Sequence, residues 1–245
     1  MNVLKSLAKN SFFASISEAS IGFLFLLYIL AARYLGDAQF GIFSFALAFV
    51  SIFGVLNDLG LRYVYLREVA REREEAERYF GNVVVMQLGF SAASLFLMVV
   101  IVNMLPGVSE FNRMVVYILA GAELLRMAKY LFRFVFRALD QFYLESVTVV
   151  LERIALLVAG FAVLWAGGDV ILFALTFLLV RIVDVAITFV LVAKNTVRPS
   201  FRFEFSLWRY LIGKALPFAL SGIVLLLFFR VSTVLLSLFL SLIHI

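Results

Sequence analysis

Val170–Ala193 reads VILFALTFLLVRIVDVAITFVLVA, an apolar run whose only charges are Arg181 and Asp184, near its middle. A helix of about 20 residues crosses a ~30 Å hydrocarbon core, so this run is long enough to span. Six more runs of the same kind lie elsewhere: Ser11–Ala32, Phe40–Leu59, Phe80–Leu105, Met114–Phe132, Leu144–Ala166 and Leu216–Leu240. With 64% hydrophobic and 15% charged residues and a mean hydropathy of +1.08, no soluble domain fits between them. The expectation is an all-α, polytopic helical membrane protein.

Composition closes off several chemistries. There is no cysteine, hence no disulfide, thiolate nucleophile or Cys-based metal site. The single histidine, His244, is too little for a His-based zinc site or a catalytic triad. No metal, cofactor or enzymatic activity is expected. The basic pI near 9.6 reads as loops facing anionic lipid headgroups and not as nucleic-acid binding. The first apolar run follows Lys5 and Lys9 as a signal peptide would. It is too long for a signal-peptide core and lacks a small-residue cleavage site before Arg33, so it reads as a retained first helix.

Orientation follows from the cations. With the N-terminus cytoplasmic, the inner segments hold sixteen Lys and Arg, among them Arg62–Arg78, Arg126–Arg137 and Lys194–Lys214. The outer loops hold only Arg33 and Arg113, a strong positive-inside signal. This places Ala38 outside and Ala76 inside. Within Arg67–Arg78, Glu68/Arg71 and Glu74/Arg78 are spaced to pair, which predicts a solvated surface helix.

Residues 1–194 read as a six-helix N-terminal lobe. Residues 195–214, with Pro199, alternating Phe201, Phe203 and Phe205, then Trp208 and Tyr210, read as a cytoplasmic interfacial linker. Residues 215–245 read as a seventh helix opening a second lobe. A faint echo supports the division: Lys9-Asn-Ser-Phe-Phe-Ala14 and Lys214-Ala-Leu-Pro-Phe-Ala219 enter the first and seventh helices alike.

Ionisable groups at membrane depth normally face a bundle interior or a water-filled cavity. Glu18 shares a face with Ser11, Ser15 and Gly22. Glu152 and Arg153 are neighbours in the fifth span, Arg181 and Asp184 stand at i,i+3 in the sixth, Glu123 and Arg126 one turn apart in the fourth, and Arg230 lies deep in the seventh. Two readings stand side by side. The cations meet an anionic substrate in a cavity while the acids balance them or carry protons; or Arg181–Asp184, Glu123–Arg126 and Glu152–Arg153 are local pairs bracing helix contacts. Glu18 and Arg230 have no local partner and read as cavity-facing. Gly22, Gly36, Gly41, Gly54 and Gly60 read as packing or hinge positions.

The stretch Arg33-Tyr-Leu-Gly-Asp-Ala-Gln-Phe-Gly41, with Asn57-Asp-Leu-Gly-Leu61 closing the second span, resembles the oligosaccharide (O-antigen type) flippases of the multidrug/oligosaccharidyl-lipid/polysaccharide exporter superfamily. Arg33, Tyr34, Leu35, Gly36, Phe40, Gly41, Asp58 and Gly60 carry the likeness as structural or hinge positions. Phe132-Arg-Phe-Val-Phe-Arg-Ala-Leu-Asp140 looks like the inner end of that family's fourth helix. The resemblance implies six-helix lobes around a central cavity in the cytoplasmic membrane. It also implies a lipid-diphosphate-linked oligosaccharide as substrate, moved outward by alternating access, and glycan-assembly proteins as partners. The likeness matches the front part of a family member.

Other functions compete. A multidrug or organic-cation exporter of the same superfamily would need an acid-lined cavity. A membrane-embedded polysaccharide polymerase would need a sizeable polar loop, whereas Pro106–Asn112 is the longest outer one. A non-transporting scaffold is a further alternative. At the far end, Leu240-Ser-Leu-Ile-His-Ile245 is the hexapeptide that CTG-TCT-CTT-ATA-CAC-ATC encodes, the mosaic-end sequence of a transposase library adaptor. The expectation is that the natural sequence ends near Phe239 within a truncated second lobe and that His244 has no biological role. The underlying DNA checks it: a different codon choice at Leu240–Ile245 removes the expectation.

Overall fold

A bilayer offers backbone N–H and C=O groups no water to bond, so each spanning segment must satisfy its own, and a helix does so. The computed structural model describes the backbone at residues 3–197 and 204–241, and side chains at 8–54, 56–197 and 204–225. The described backbone is helical, with no strand. In chain order the helices are α1 (Val3–Ala19), α2 (Ile21–Asp58), α3 (Leu61–Arg71), α4 (Ala76–Met104), α5 (Glu110–Ala138), α6 (Phe142–Trp165), α7 (Val170–Asn195) and α8 (Phe205–Ser241), with a 3-10 turn at Arg73–Glu75 before α4. His244 lies outside the described residues.

Four helical stretches among these residues are long and apolar enough to cross a membrane: Ala8–Arg71, Arg73–Met104, Phe142–Trp165 and Val170–Asn195. The first reverses direction at Gly36, where φ is 71° and ψ 173°. The rings of Tyr28 and Phe43 lie 6.2 Å apart, although a straight helix would separate those positions by about 22 Å. The two halves of α2 therefore run back along each other. No atom crowds Gly36, so its backbone conformation, which a side chain would strain, is what calls for glycine there.

The first two expected runs correspond to α1 with the first half of α2, and to the second half of α2. Met114–Phe132 is a different matter. α5 continues to Ala138 and carries Glu123, Arg126, Lys129, Arg133 and Arg137 inside the helix. Those four cations belong to no inner loop, which corrects the cation count. α5 is the hub of the fold: it packs most extensively on α7 and also touches α2, α3, α4 and α6.

Two apolar clusters flank this hub. One is built on Leu27, Phe43, Leu119, Phe173 and Phe177, with Phe43 5.0 Å from Phe173 and 5.4 Å from Phe177. Gly160 lets Leu27 settle against α6, since a Cβ there would stand 2.7 Å from Leu27 Cδ1. The other cluster gathers Tyr65, Phe80, Phe132, Phe136 and Leu211.

The surface helix expected over Arg67–Arg78 is also corrected. α3 ends at Arg71 and buries Val64, Tyr65, Glu68 and Val69. Arg78 pairs with Glu75 at 2.9 Å and Glu204 at 2.5 Å, not with Glu74. Tyr210 donates a hydrogen bond to Glu68 Oε2 at 3.1 Å, which pushes its phenol pKa up. The linker expected at 195–214 is helical from Phe205 onward, because α8 starts there; Pro199, Phe201 and Phe203 lie outside the described residues. Asn82 Oδ1 accepts from the Glu204 amide at 3.0 Å and from Trp208 Nε1 at 2.9 Å, tying the start of α8 to α4.

Of the five glycines read as packing or hinge positions, Gly22 and Gly41 meet open space. Gly60 is crowded and left-handed: φ is 80°, and a Cβ would meet Phe218 Cβ at 2.6 Å. Gly60→Ala is expected to displace α8 from the α2–α3 corner, with a loss of thermal stability of about 1–3 kcal/mol; melting of the purified protein checks it. Ala76 is 4% exposed and so a poor labelling position, whereas Ala38 and Glu74 are exposed. In this cysteine-free chain, Ala38→Cys is expected to react with an impermeant maleimide on intact cells, and Glu74→Cys only after permeabilisation.

Candidate functional site

The site starts from a repeat on α5. Glu123, Arg126, Tyr130, Arg133 and Arg137 follow one another at spacings of three and four, which puts them on one helix face. α6 answers with Glu145, Thr148 and Glu152, also on one face, and α7 with Arg181 and Asp184. These helices pack side by side, so the polar faces meet in the interior.

Arg133 is the centre, at 3% exposure. Its Nη1 donates to Glu152 Oε2 at 3.0 Å, and its Nη2 to Asp184 Oδ1 at 2.8 Å. Nη2 also donates to the Thr148 carbonyl at 2.9 Å, and Nε to Thr148 Oγ1 at 3.2 Å. Lys129 donates to Glu152 and stands 3.8 Å from Asp184. A guanidinium can donate in a planar fork, and here all three of its nitrogens donate. Nearer one end Arg137 pairs with Glu145. Nearer the other, Arg126 Nε donates to Glu123 at 2.7 Å and Nη1 to the Tyr130 hydroxyl at 3.3 Å. Gly54 makes room for that pair, since a Cβ on it would stand 2.6 Å from Glu123 Oε1.

Two of the three expected local pairs are replaced. Asp184 pairs with Arg133, not with Arg181, and Glu152 with Lys129 and Arg133, not with Arg153. Only Glu123–Arg126 forms as the spacing predicts. Arg153 reaches the Ser17 carbonyl and donates to Ser20 Oγ at 2.7 Å. Arg181 is 6% exposed, has no salt bridge among the described residues, and leaves Nε without a hydrogen-bond partner. Its guanidinium carbon lies 5.6 Å from the Phe177 ring centre.

Three adjoining cavities run along the α5 face, and Tyr130 lines all of them. One of about 180 Å³ contains Glu18, Arg137, Glu145 and Arg153. The next, about 220 Å³, is lined by Arg126, Lys129, Arg133, Arg153 and Arg181 with Glu123 and Glu152 as its acids. The largest, about 720 Å³, lies among α2, α3, α5 and α8. Among the described residues, five cations in the middle cavity face two carboxylates, with Asp184 behind Arg133 as a third. The excess positive charge at membrane depth sits on Arg153 and Arg181.

The expected site residues Glu18, Glu152, Arg153, Arg181 and Asp184 are thus brought together, although Asp184 faces the cluster from its far side. Arg230 lies in α8, and its side chain is outside the described residues. Lys129, Tyr130 and Arg133 complete the site and were not expected there; the three-four spacing from Glu123 to Arg137 is the signal that carries them. The motif residues fall in different surroundings. Gly36 reverses α2, Leu35 is buried, Arg33 and Tyr34 are exposed, and Gln39 Oε1 accepts the Val170 amide at 2.9 Å. Asp58 Oδ1 accepts the Arg62 amide at 3.3 Å, holding the turn that Gly60 makes.

A family model described as "Polysaccharide biosynthesis protein" matches residues 7–244. No curated protein matches the chain.

Arg133→Met would leave Glu152 and Asp184 with Lys129 alone. Breaking a buried ion pair from one side costs about 3–5 kcal/mol, so a clear drop in melting temperature is expected. Arg133→Met with Asp184→Leu should recover much of it by leaving Lys129–Glu152 as a balanced pair; a double variant no more stable than the single would contradict the pairing.

Proposed function

The chain belongs to the polysaccharide biosynthesis protein family, and on that premise we propose that it moves a lipid-diphosphate-linked oligosaccharide across the cytoplasmic membrane by alternating access. The observation that carries this reading is Arg181, a buried guanidinium with an unused donor, lining a cavity whose cations outnumber its acids. A charge in that position is costly unless something answers it. A diphosphate does so with oxygens that match a guanidinium fork. The lipid tail can stay in the bilayer while the head group occupies the cavity.

In this reading, residues 1–194 form the six-helix lobe and α8 opens the second, with the N-terminus inside. With the α5 cations set aside, Lys9, Arg67, Arg71, Arg73, Arg78, Lys194, Arg209 and Lys214 still fall on the inner side against Arg33 and Arg113 on the outer. The role is transport and not catalysis, and glycan-assembly enzymes would be the functional neighbours. The organic-cation reading is less well supported. It needs several unpaired carboxylates facing the cavities, whereas among the described lining residues Glu18 alone has no salt bridge, and Glu123, Glu145 and Glu152 already hold cations.

In proteoliposomes carrying a fluorescent polyprenyl-diphosphate disaccharide, the protein is expected to speed the loss of lipid protected from an impermeant quencher. Arg181→Ala should lower the rate about ten- to a hundredfold, the worth of charge-assisted hydrogen bonds, and Arg181→Lys should keep part of it. Unchanged rates in both variants, with ethidium exported instead, would favour the organic-cation exporter.

A further inference from the structure

The adjoining cavities differ in charge balance. In the middle cavity Arg153 and Arg181 have no carboxylate partner among the described residues. In the largest one, each cation brings its own acid. Arg62 Nε stands 3.4 Å from Asp58 Oδ2, and Arg126 pairs with Glu123. The described lining of the large cavity is therefore close to neutral, which suits an uncharged, hydroxyl-rich group better than a second phosphate. Its volume of about 720 Å³ falls within the usual range for small-molecule sites of roughly 300–1,000 Å³, whereas the middle cavity falls below it.

Its walls are amphipathic in the way a sugar requires. Tyr63 and Phe218 stack with ring centres 5.5 Å apart and planes 22° from parallel, and Phe134 meets Tyr63 edge-on at 5.4 Å. The Arg62 guanidinium carbon lies 5.0 Å from the Tyr63 ring centre and 5.4 Å from that of Tyr130. Arg62 Nε has no hydrogen-bond partner among the described residues, and Asp58 and Ser221 supply acceptors beside it. A pyranose presents a face of C–H groups that packs on an aromatic ring, and its rim of hydroxyls bonds to carboxylates and guanidinium groups. Tyr63 is 39% exposed and lines the cavity.

We infer that the cavity formed by Asp58, Arg62, Tyr63, Tyr130, Phe218 and Ser221 is the seat of the sugar nearest the diphosphate, with Arg126 and Tyr130 at the junction with the phosphate seat. The inference rests on the transport reading above and assigns the parts of its substrate to separate pockets. Tyr63 would contact the sugar directly, through its ring and not its hydroxyl.

The test uses the full chain in nanodiscs and two radiolabelled probes: farnesyl diphosphate, and farnesyl diphosphate bearing N-acetylglucosamine. The wild type is expected to bind the sugar-bearing probe about three- to tenfold more tightly, as expected of one ring contact. Tyr63→Leu should erase that increment and leave affinity for the bare probe unchanged, whereas Tyr63→Phe should keep it. Equal binding of both probes by the wild type would overturn the sugar seat, as would an equal loss for both probes in Tyr63→Leu. Arg181→Ala separates the two readings. A common loss for both probes supports the phosphate seat. No loss for either, with the sugar increment intact, removes the phosphate seat and leaves the sugar seat standing.

Discussion

Arg133 cannot be solvated where it sits, and the packing of α5, α6 and α7 follows from that constraint. A guanidinium within a bilayer-spanning bundle must find acceptors in protein. Here they come from two other helices: Glu152 and both Thr148 oxygens on α6, and Asp184 on α7. Each bond fixes a rotation as well as a distance. Once Arg133 is satisfied, the face of α5 that carries it must look at α6 and α7, so Arg126, Tyr130 and Arg137 line the cavities beside it. Apolar packing around Phe43, Phe173 and Phe177 supplies adhesion with much less orientation, since apolar residues are nearly interchangeable against lipid.

The apolar segments were largely legible because hydropathy reports the solvent a segment requires. α4, α6 and α7 match expected runs apart from their ends, and the reversal between the first two runs falls at Gly36, inside the quoted motif. α5 was not legible in the same way. Its cations lower the hydropathy of the last turns, which made Arg133 and Arg137 look like loop residues. Charge pairing was misread for a related reason. Sequence proximity favoured Arg181–Asp184 and Glu152–Arg153, but an i,i+3 pair yields to a better partner from another helix, and neighbours at i,i+1 do not face each other on a helix. Arg133 is that partner for both acids. The repeat from Glu123 to Arg137 was present in the sequence, and its regularity is a helix-face signal that hydropathy averaging hides.

The division between paired and unpaired charge has a consequence for motion. The salt bridges that Lys129 and Arg133 make with Glu152 and Asp184 across α5, α6 and α7 are buried and mutually satisfied, so that unit should move as one piece. α8 is attached differently. It touches the α2–α3 corner through Gly60 and Phe218, and its start is held by Arg78–Glu204, Asn82–Trp208 and Glu68–Tyr210. Arg78 is about half exposed, and exposed ion pairs are worth little individually. The large cavity thus has one wall fixed by buried charge and another held by weaker polar contacts. The alternating access proposed above would need this asymmetry, because a site that must open to either side cannot be walled throughout by bonds too strong to break. The cations most exposed to a ligand's choice, Arg153 and Arg181, lie on the rigid side, where a bound diphosphate would keep its partners while the α8 wall moved.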